Sequence, residues 1–97
     1  MIIVTGAVTA QEDSFDEALA IALEHVHRSR AEDGCILHSV HRDMENPMRL
    51  FFFEQWRDMA ALKAHFAVPA SQAFVPRMKA VCMAMEPISI LAANPAG

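Results

Sequence analysis

Three side chains stand where they can take or hold a proton near neutral pH: His38, Glu54 and His65. The free pKa of histidine lies close to neutrality, so His65 can accept a proton from an acidic hydroxyl. Glu54 sits among aromatics in the run Arg49-Leu50-Phe51-Phe52-Phe53-Glu54-Gln55-Trp56-Arg57. A carboxylate in such surroundings is costly without a partner. It can hold His65 in one tautomer, or take the proton itself if desolvation raises its pKa. Plainer roles stand beside these. His65 can be a half-exposed helix histidine with no task. Glu54 can be a structural carboxylate paired to Arg42, Arg49 or Arg57. His38, with Ile36 and Val40 on its face, can be a second base, a hydrogen-bond partner for a substrate, or a satisfied core or interface residue.

The spacing around Glu54 decides what shares its surroundings. Aromatic and branched residues favour the extended conformation, so residues 49–57 read as a strand. Side chains alternate across a strand. Leu50, Phe52, Glu54 and Trp56 share one face, and Phe51, Phe53 and Gln55 the other. Phe52 and Trp56 can stack on a planar ring, or simply form core. Large aromatics on both faces demand cover on both, and in a chain of 97 residues the second cover is expected to be another copy of the chain.

No metal site is expected. His25 and His27 lie about 200° apart on one helix, and His38 and His41 fall on opposite strand faces, so neither pair chelates an ion by itself. Cys35 and Cys82 show no zinc spacing and read as reduced thiols of a cytoplasmic protein. Ser14 and Ser29 lack the neighbours that activate a nucleophile.

The positioning elements follow from periodicity and punctuation. Residues 1–9 read as a strand, with Gly6 marking a bulge or a close approach. Ser14-Phe15-Asp16-Glu17 fits a capping box. The helix it opens runs to about Glu32 with Phe15, Leu19, Ala22, Leu23 and Val26 as its apolar stripe, and Gly34 closes it with a left-handed cap. Residues 35–42 form a second strand and 49–57 a third, joined as an antiparallel hairpin. Asp58 caps a short helix that Pro69 stops. A further helix covers about 71–81, kinked or split at Pro76. Residues 84–91 form the last strand, where Pro87 belongs at an edge, a strand start or a bulge. Residues 92–97 are a loose tail. The order β-α-β-β-α-β is the ferredoxin-like α+β plan: one four-stranded antiparallel sheet with helices on one face, in a single domain spanning 1–97. Two bare sheet faces can then pack together as a dimeric α/β barrel.

Bulk composition narrows the partners. The chain is 54% hydrophobic and 21% charged, which fits a globular subunit with a buried interface rather than a disordered segment. Its net charge is −4 with no Lys/Arg cluster, which argues against nucleic acid or an anionic membrane surface. No apolar run approaches a membrane span, and the first residues carry no secretory pattern.

Between about residues 28 and 75 the chain resembles the antibiotic biosynthesis monooxygenase (ABM) family, a branch of the dimeric α/β barrels. The similarity rests on Ser29-Arg30-Ala31-Glu32-Asp33-Gly34-Cys35, on Arg42-Asp43, on Arg49 to Trp56, on Ala61-Leu62-Lys63-Ala64-His65, and on Pro69 with Gln72-Ala73-Phe74. The resemblance implies a homodimer that binds an electron-rich aromatic between helices and sheet and oxidises it with O2, without metal or organic cofactor. It implies His65 as base, Glu54 as its orienter, and Phe52, Trp56, His38 and Phe74 as lining of the substrate site. Two positions depart from the pattern. Ala70 follows Pro69 where relatives often carry a histidine, and His38 replaces a common tyrosine. The haem-degrading branch needs a histidine near Val75 and an asparagine near Gly6 or Ala7, so haem is not expected.

The expected activity is a cofactor-independent monooxygenase acting on a quinol or polyphenol. A non-catalytic binding or stress-related dimer, and an isomerase of a small oxygenated metabolite, are the alternatives.

Overall fold

The computed structural model describes residues 1–97. The elements run β1 (Ile2–Ala10), α1 (Phe15–Ser29), β2 (Cys35–Arg42), β3 (Arg49–Trp56), α2 (Met59–Ala67), α3 (Pro69–Lys79) and β4 (Cys82–Ala92). The four strands form one antiparallel sheet in the order β2-β3-β1-β4. This is the expected α+β plan, with its second helical crossover divided into two short helices at Val68. Pro69 does not merely stop α2; it occupies the first turn of α3, where its missing N–H costs nothing. No helix is long and apolar enough to cross a membrane.

Burial along β3 alternates without a break: Leu50, Phe52, Glu54 and Trp56 are buried, and the residues between them half-buried. Directly paired residues of an antiparallel sheet share a face. His38 and Val4, which both pair with Glu54, therefore join it on the helix side. The apolar residues there fall into two clusters. One gathers Val8, Phe15, Ile21, Val26, Leu50, Phe52 and Met78. The other gathers Ile2, Val4, Trp56, Ala61 and Leu62. Glu54 stands between Phe52 of the first and Trp56 of the second, so the polar site interrupts the core.

Several local expectations differ from the structure. Ser14 makes no capping bond; its hydroxyl donates to Asp13 at 3.4 Å. A 3-10 turn over Glu12–Ser14 leads the backbone into α1 instead. The helix ends at Ser29, three residues early. Ala31 and Glu32 continue in tighter turns, their N–H groups bonding the carbonyls of Arg28 and Ser29. The buried stripe of α1 is also rotated from the expected one. It comprises Phe15, Ala18, Ile21, Ala22, His25, Val26 and Ser29, while Leu23 is exposed.

Gly6 acts as expected, whereas Gly34 takes the left-handed conformation in the turn before β2 and not as the cap of α1, which ends earlier on Arg30 in the right-handed region. Gly6 faces a register shift between β1 and β4, and a Cβ there would meet Ile88 Cγ2 at 3.2 Å. Pro87 lies in that shift on an edge strand, where no ladder needs its N–H. Gly34 has φ of 82°, and a Cβ would meet the Cβ of Ala61 at 2.5 Å. Gly34→Ala therefore combines left-handed strain of about 1–3 kcal/mol with a clash against α2. At roughly 4–8 °C per kcal/mol for a chain of this size, calorimetry should show a melting point lowered by at least about 5 °C. An unchanged melting point would contradict this account of the turn.

Candidate active site

Four elements bring three imidazoles and a carboxylate together. His25 comes from α1, His38 from β2, Glu54 from β3 and His65 from α2, and all four are buried. The ring centroids lie 5.2 Å apart for His25 and His38, 5.3 Å for His25 and His65, and 5.7 Å for His38 and His65. Phe74 from α3 stacks on His25 at 4.0 Å. Trp56 packs against His65 at 4.6 Å.

Hydrogen bonding fixes the tautomers. Arginine only donates, so His25 Nδ1 accepts from Arg28 Nη2 at 2.7 Å. Neutral His25 then carries its hydrogen on Nε2. Burial, followed by the neighbouring His38, His65 and Arg28, lowers the His25 pKa to about 3, so this ring stays neutral. His65 Nδ1 lies 2.9 Å from Glu32 Oε1. The carboxylate can only accept from it, which leaves Nε2 of neutral His65 as a free lone pair. His38 differs from both. Its Nε2 is 3.3 Å from Glu54 Oε1, a close charge contact without hydrogen-bond alignment, and neither of its ring nitrogens has a hydrogen-bond partner.

Glu54 Oε1 accepts from the Trp56 indole Nε1–H at 2.9 Å. Burial pushes the Glu54 carboxyl up, but His38, Trp56 and His65 outweigh it and leave the pKa below the ordinary carboxylate range. Glu54 is therefore a carboxylate and not the raised-pKa acid that burial alone would make. It does not pair with an arginine either. Arg42 donates to Pro47 O, Arg49 binds Glu86 and Asp43, and Arg57 binds Asp33 and Asp58. Nor is Glu54 hydrogen-bonded to His65: the partner that orients His65 is Glu32. The reason lies in the early end of α1, which leaves Glu32 in a turn facing α2 instead of on a helix.

Two adjoining cavities open beside this cluster. One of about 140 Å³ is lined by Glu54, His65, His25, Phe66, Phe74 and Ile88 among others. One of about 90 Å³ shares His25, Glu54, Phe74 and Ile88 with it and adds Phe52 and Gly6. His65, Glu54, Phe52 and Phe74 thus border the space expected of them. Trp56 and His38 line neither cavity and stand behind its wall. Two larger and more open depressions flank the cluster: one beside Arg57 and Ala64 touches Glu32, and one along β2 beside Arg30 includes His38 in its lining.

Sequence reasoning missed His25, Arg28 and Glu32. His25 was readable in principle. It lies three residues after Ala22 and four before Ser29, on the face that α1 buries. The expectation of no metal site rested on pairs within single elements. The structure instead gathers His25, His38 and His65 from three elements, with one ring nitrogen of each within 4.8 Å of the others.

One four-stranded antiparallel sheet with helices packed on one face defines the ferredoxin-like α+β class. Within that class the chain belongs to the antibiotic biosynthesis monooxygenase family, whose model matches residues 1–77. The uncharacterized protein sll1783 from Synechocystis is 36% identical over 76 residues, which cover 78% of this chain and 52% of that protein. The chain thus spans about half the length of this relative. Among solved structures, a candidate antibiotic biosynthesis monooxygenase from Deinococcus radiodurans superposes with a TM-score of 0.93 at 24% identity, covering 99% of this chain and 95% of its own. Protein PA3566 from Pseudomonas aeruginosa gives 0.85 at 26% identity, with 97% and 94% covered.

Proposed function

We propose that the protein is a cofactor-independent monooxygenase that oxidises a quinol with O2. The observation that carries this reading is His65. Its Nδ1 is fixed on Glu32, and its free Nε2 belongs to a buried ring bordering a ring-sized cavity. A space of about 140 Å³ compares with the roughly 150 Å³ cavity that holds a benzene ring. A monocyclic quinol therefore fits better than a polycyclic phenol. Phe66 and Phe74 supply apolar walls, Phe52 borders the adjoining space, and the Glu54 carboxylate can accept a hydrogen bond from the second hydroxyl.

The chemistry follows from that arrangement. His65 Nε2 takes a phenolic proton, which leaves an electron-rich anion. The anion passes one electron to O2, giving a semiquinone and superoxide. The two recombine at a ring carbon, and the resulting hydroperoxide loses water to leave a hydroxyquinone. The balance is one quinol and one O2 to one hydroxyquinone and one water, so no external reductant is needed. Oxygen electrode measurements with a panel of monocyclic quinols test this. Stoichiometric uptake with hydroxyquinone formation is the expected result. Tight quinol binding without uptake would favour a non-catalytic binding module, which Ala70 at the position of the family histidine would fit. Anaerobic turnover of a small hydroxyketone would favour the isomerase.

The working unit in this proposal is a homodimer joined through the bare sheet face. That face carries cross-strand rows, Leu37-Gln55-Ile3-Leu91 and Ser39-Phe53-Thr5-Ser89, with Leu37 and Leu91 exposed and Ile3 and Phe53 half-buried. Apolar side chains across a sheet face, here Leu37, Ile3, Leu91 and Phe53, need cover, and a second copy supplies a matching set. Sedimentation should give about twice the 10.7 kDa of one chain. Phe53→Arg, which places a charge in the middle of the joint, should shift it to the single-chain mass. A wild-type protein that sediments as one chain would remove this part of the proposal. Cys35 and Cys82 are free thiols whose pKa burial raises. Unreactive reduced thiols suit a cytoplasmic setting, where we place the protein.

A further inference from the structure

We propose that His25, His38 and His65 together bind one divalent transition-metal ion of the kind that prefers imidazole, zinc being the representative case. Four observations lead there. First, the ring centroids stand at the separations that a shared ion needs, although the ligating nitrogens, within 4.8 Å of one another, have to turn closer together around it. An ion about 2.1 Å from each ligating nitrogen lies about 3.2 Å from each ring centroid, so tetrahedral ligands have centroids about 5.3 Å apart. The observed separations are 5.2, 5.3 and 5.7 Å. Second, His38 is 1% exposed, yet neither ring nitrogen has a hydrogen-bond partner. Buried polar groups are nearly always satisfied, and coordination to an ion satisfies one nitrogen of this ring. Third, His65 donates its other ring nitrogen to the Glu32 carboxylate, the arrangement that orients metal-ligating histidines and increases their basicity. Fourth, Glu54 brings a carboxylate oxygen to 3.3 Å from His38 Nε2, offering a negative charge beside the ion.

One contact opposes the ion as the side chains now stand. Arg28 donates to His25 Nδ1, and a ring that ligates through Nε2 must carry its hydrogen on Nδ1. Arg28 therefore has to release His25 when the ion enters. Its Nη2 already lies 3.4 Å from Ser71 Oγ, which gives it somewhere to turn. Arg28 thus competes with the ion through both its charge and its hydrogen bond. The binding stands apart from the oxygenase reading, but one consequence rests on it. An ion on His65 Nε2 removes the base, so metal occupancy and quinol oxidation exclude each other.

Titration of the chelator-stripped protein with Zn2+ alone, followed by calorimetry, tests the site. Co2+ provides a second readout through the visible absorption of its ligand field. The expected result is one ion per chain with a tetrahedral cobalt spectrum. His38→Ala should weaken binding at least about 100-fold, and Glu32→Gln by about 10–100-fold. His41→Ala, an exposed histidine outside the cluster, should leave binding unchanged. Arg28→Ala should tighten it several-fold, an effect that a misfolded variant or an adventitious surface site would not produce. Failure of Zn2+ to bind at one per chain, or equal binding by His38→Ala and wild type, overturns the proposal. Oxygen uptake is read separately. Zinc binding without loss of uptake overturns only the exclusion, and uptake by stripped protein that never binds zinc leaves the oxygenase reading standing.

Discussion

Replacing His65 by alanine should lower quinol-dependent oxygen uptake by about 10²–10⁴-fold, the usual contribution of a positioned general base. The loss should fall on kcat. The ring-sized cavity keeps its walls of Phe66, Phe74 and Ile88, so affinity for a quinone product should change little. His65 is buried, so truncation also removes packing against Trp56. His65→Gln controls for this, since glutamine fills most of the space but cannot take the proton. Both variants should be equally inactive while differing in stability. Glu32→Gln should be intermediate. It leaves the imidazole in place but loses the charged partner that fixes Nδ1–H and stabilises the imidazolium that forms. Higher pH, which ionises the quinol without help, should recover activity in His65→Ala and His65→Gln. Undiminished uptake in His65→Gln would remove His65 from the chemistry and would leave Glu54 as the remaining buried group on the cavity wall able to take a proton.

How far the site could be read in advance depended on the kind of element that carries each residue. In β3 the period is two and allows no drift, so the face shared by Leu50, Phe52, Glu54 and Trp56 follows directly from the order of residues. The observed register, with Arg42 opposite Leu50, is what places His38 opposite Glu54. A helix is less forgiving. A stripe chosen on the larger apolar residues Leu19 and Leu23 lies one position away from the stripe through Ala18, Ala22, His25 and Ser29 that packs on the sheet. Small residues allow the close approach, and His25 is carried inward with them. Glu32 was hidden for a different reason. Its reach to His65 spans 33 positions in sequence and depends on the turn after Ser29, which no local pattern announced. The state of Glu54 was the least legible. Burial and its partners act in opposite directions on its pKa, and only the positions of His38 and the Trp56 indole decide the balance.

Trp56 is the residue on which both the core and the site depend, and its replacement should produce the largest stability loss in the chain. It is completely buried with Ile2, Val4, Ala61 and Leu62, and its indole donates to Glu54. Trp56→Ala should cost about 3–5 kcal/mol through the cavity it leaves. It also strips a buried carboxylate of a donor, which adds about 1–3 kcal/mol. Losses of that size approach the whole stability of a small domain, so the variant should be largely unfolded at room temperature by circular dichroism. Trp56→Phe separates the two contributions. It retains most of the ring volume and deletes the N–H, so the remaining cost of about 1.5–3 kcal/mol is mainly that of a hydrogen bond to a charged group. The pH dependence identifies that bond. Glu54 has a folded pKa below its ordinary value of 4.5. Its charged form therefore contributes stability that is fully present above that value and is lost as pH falls through the folded pKa. Deleting the indole donor should move the Glu54 pKa upward, and the stability gap between wild type and Trp56→Phe should narrow as the medium is acidified below about pH 4.5. A gap that stays constant into acid would mean that Trp56 stabilises by shape alone, and that Glu54 is kept charged by His38 without the indole.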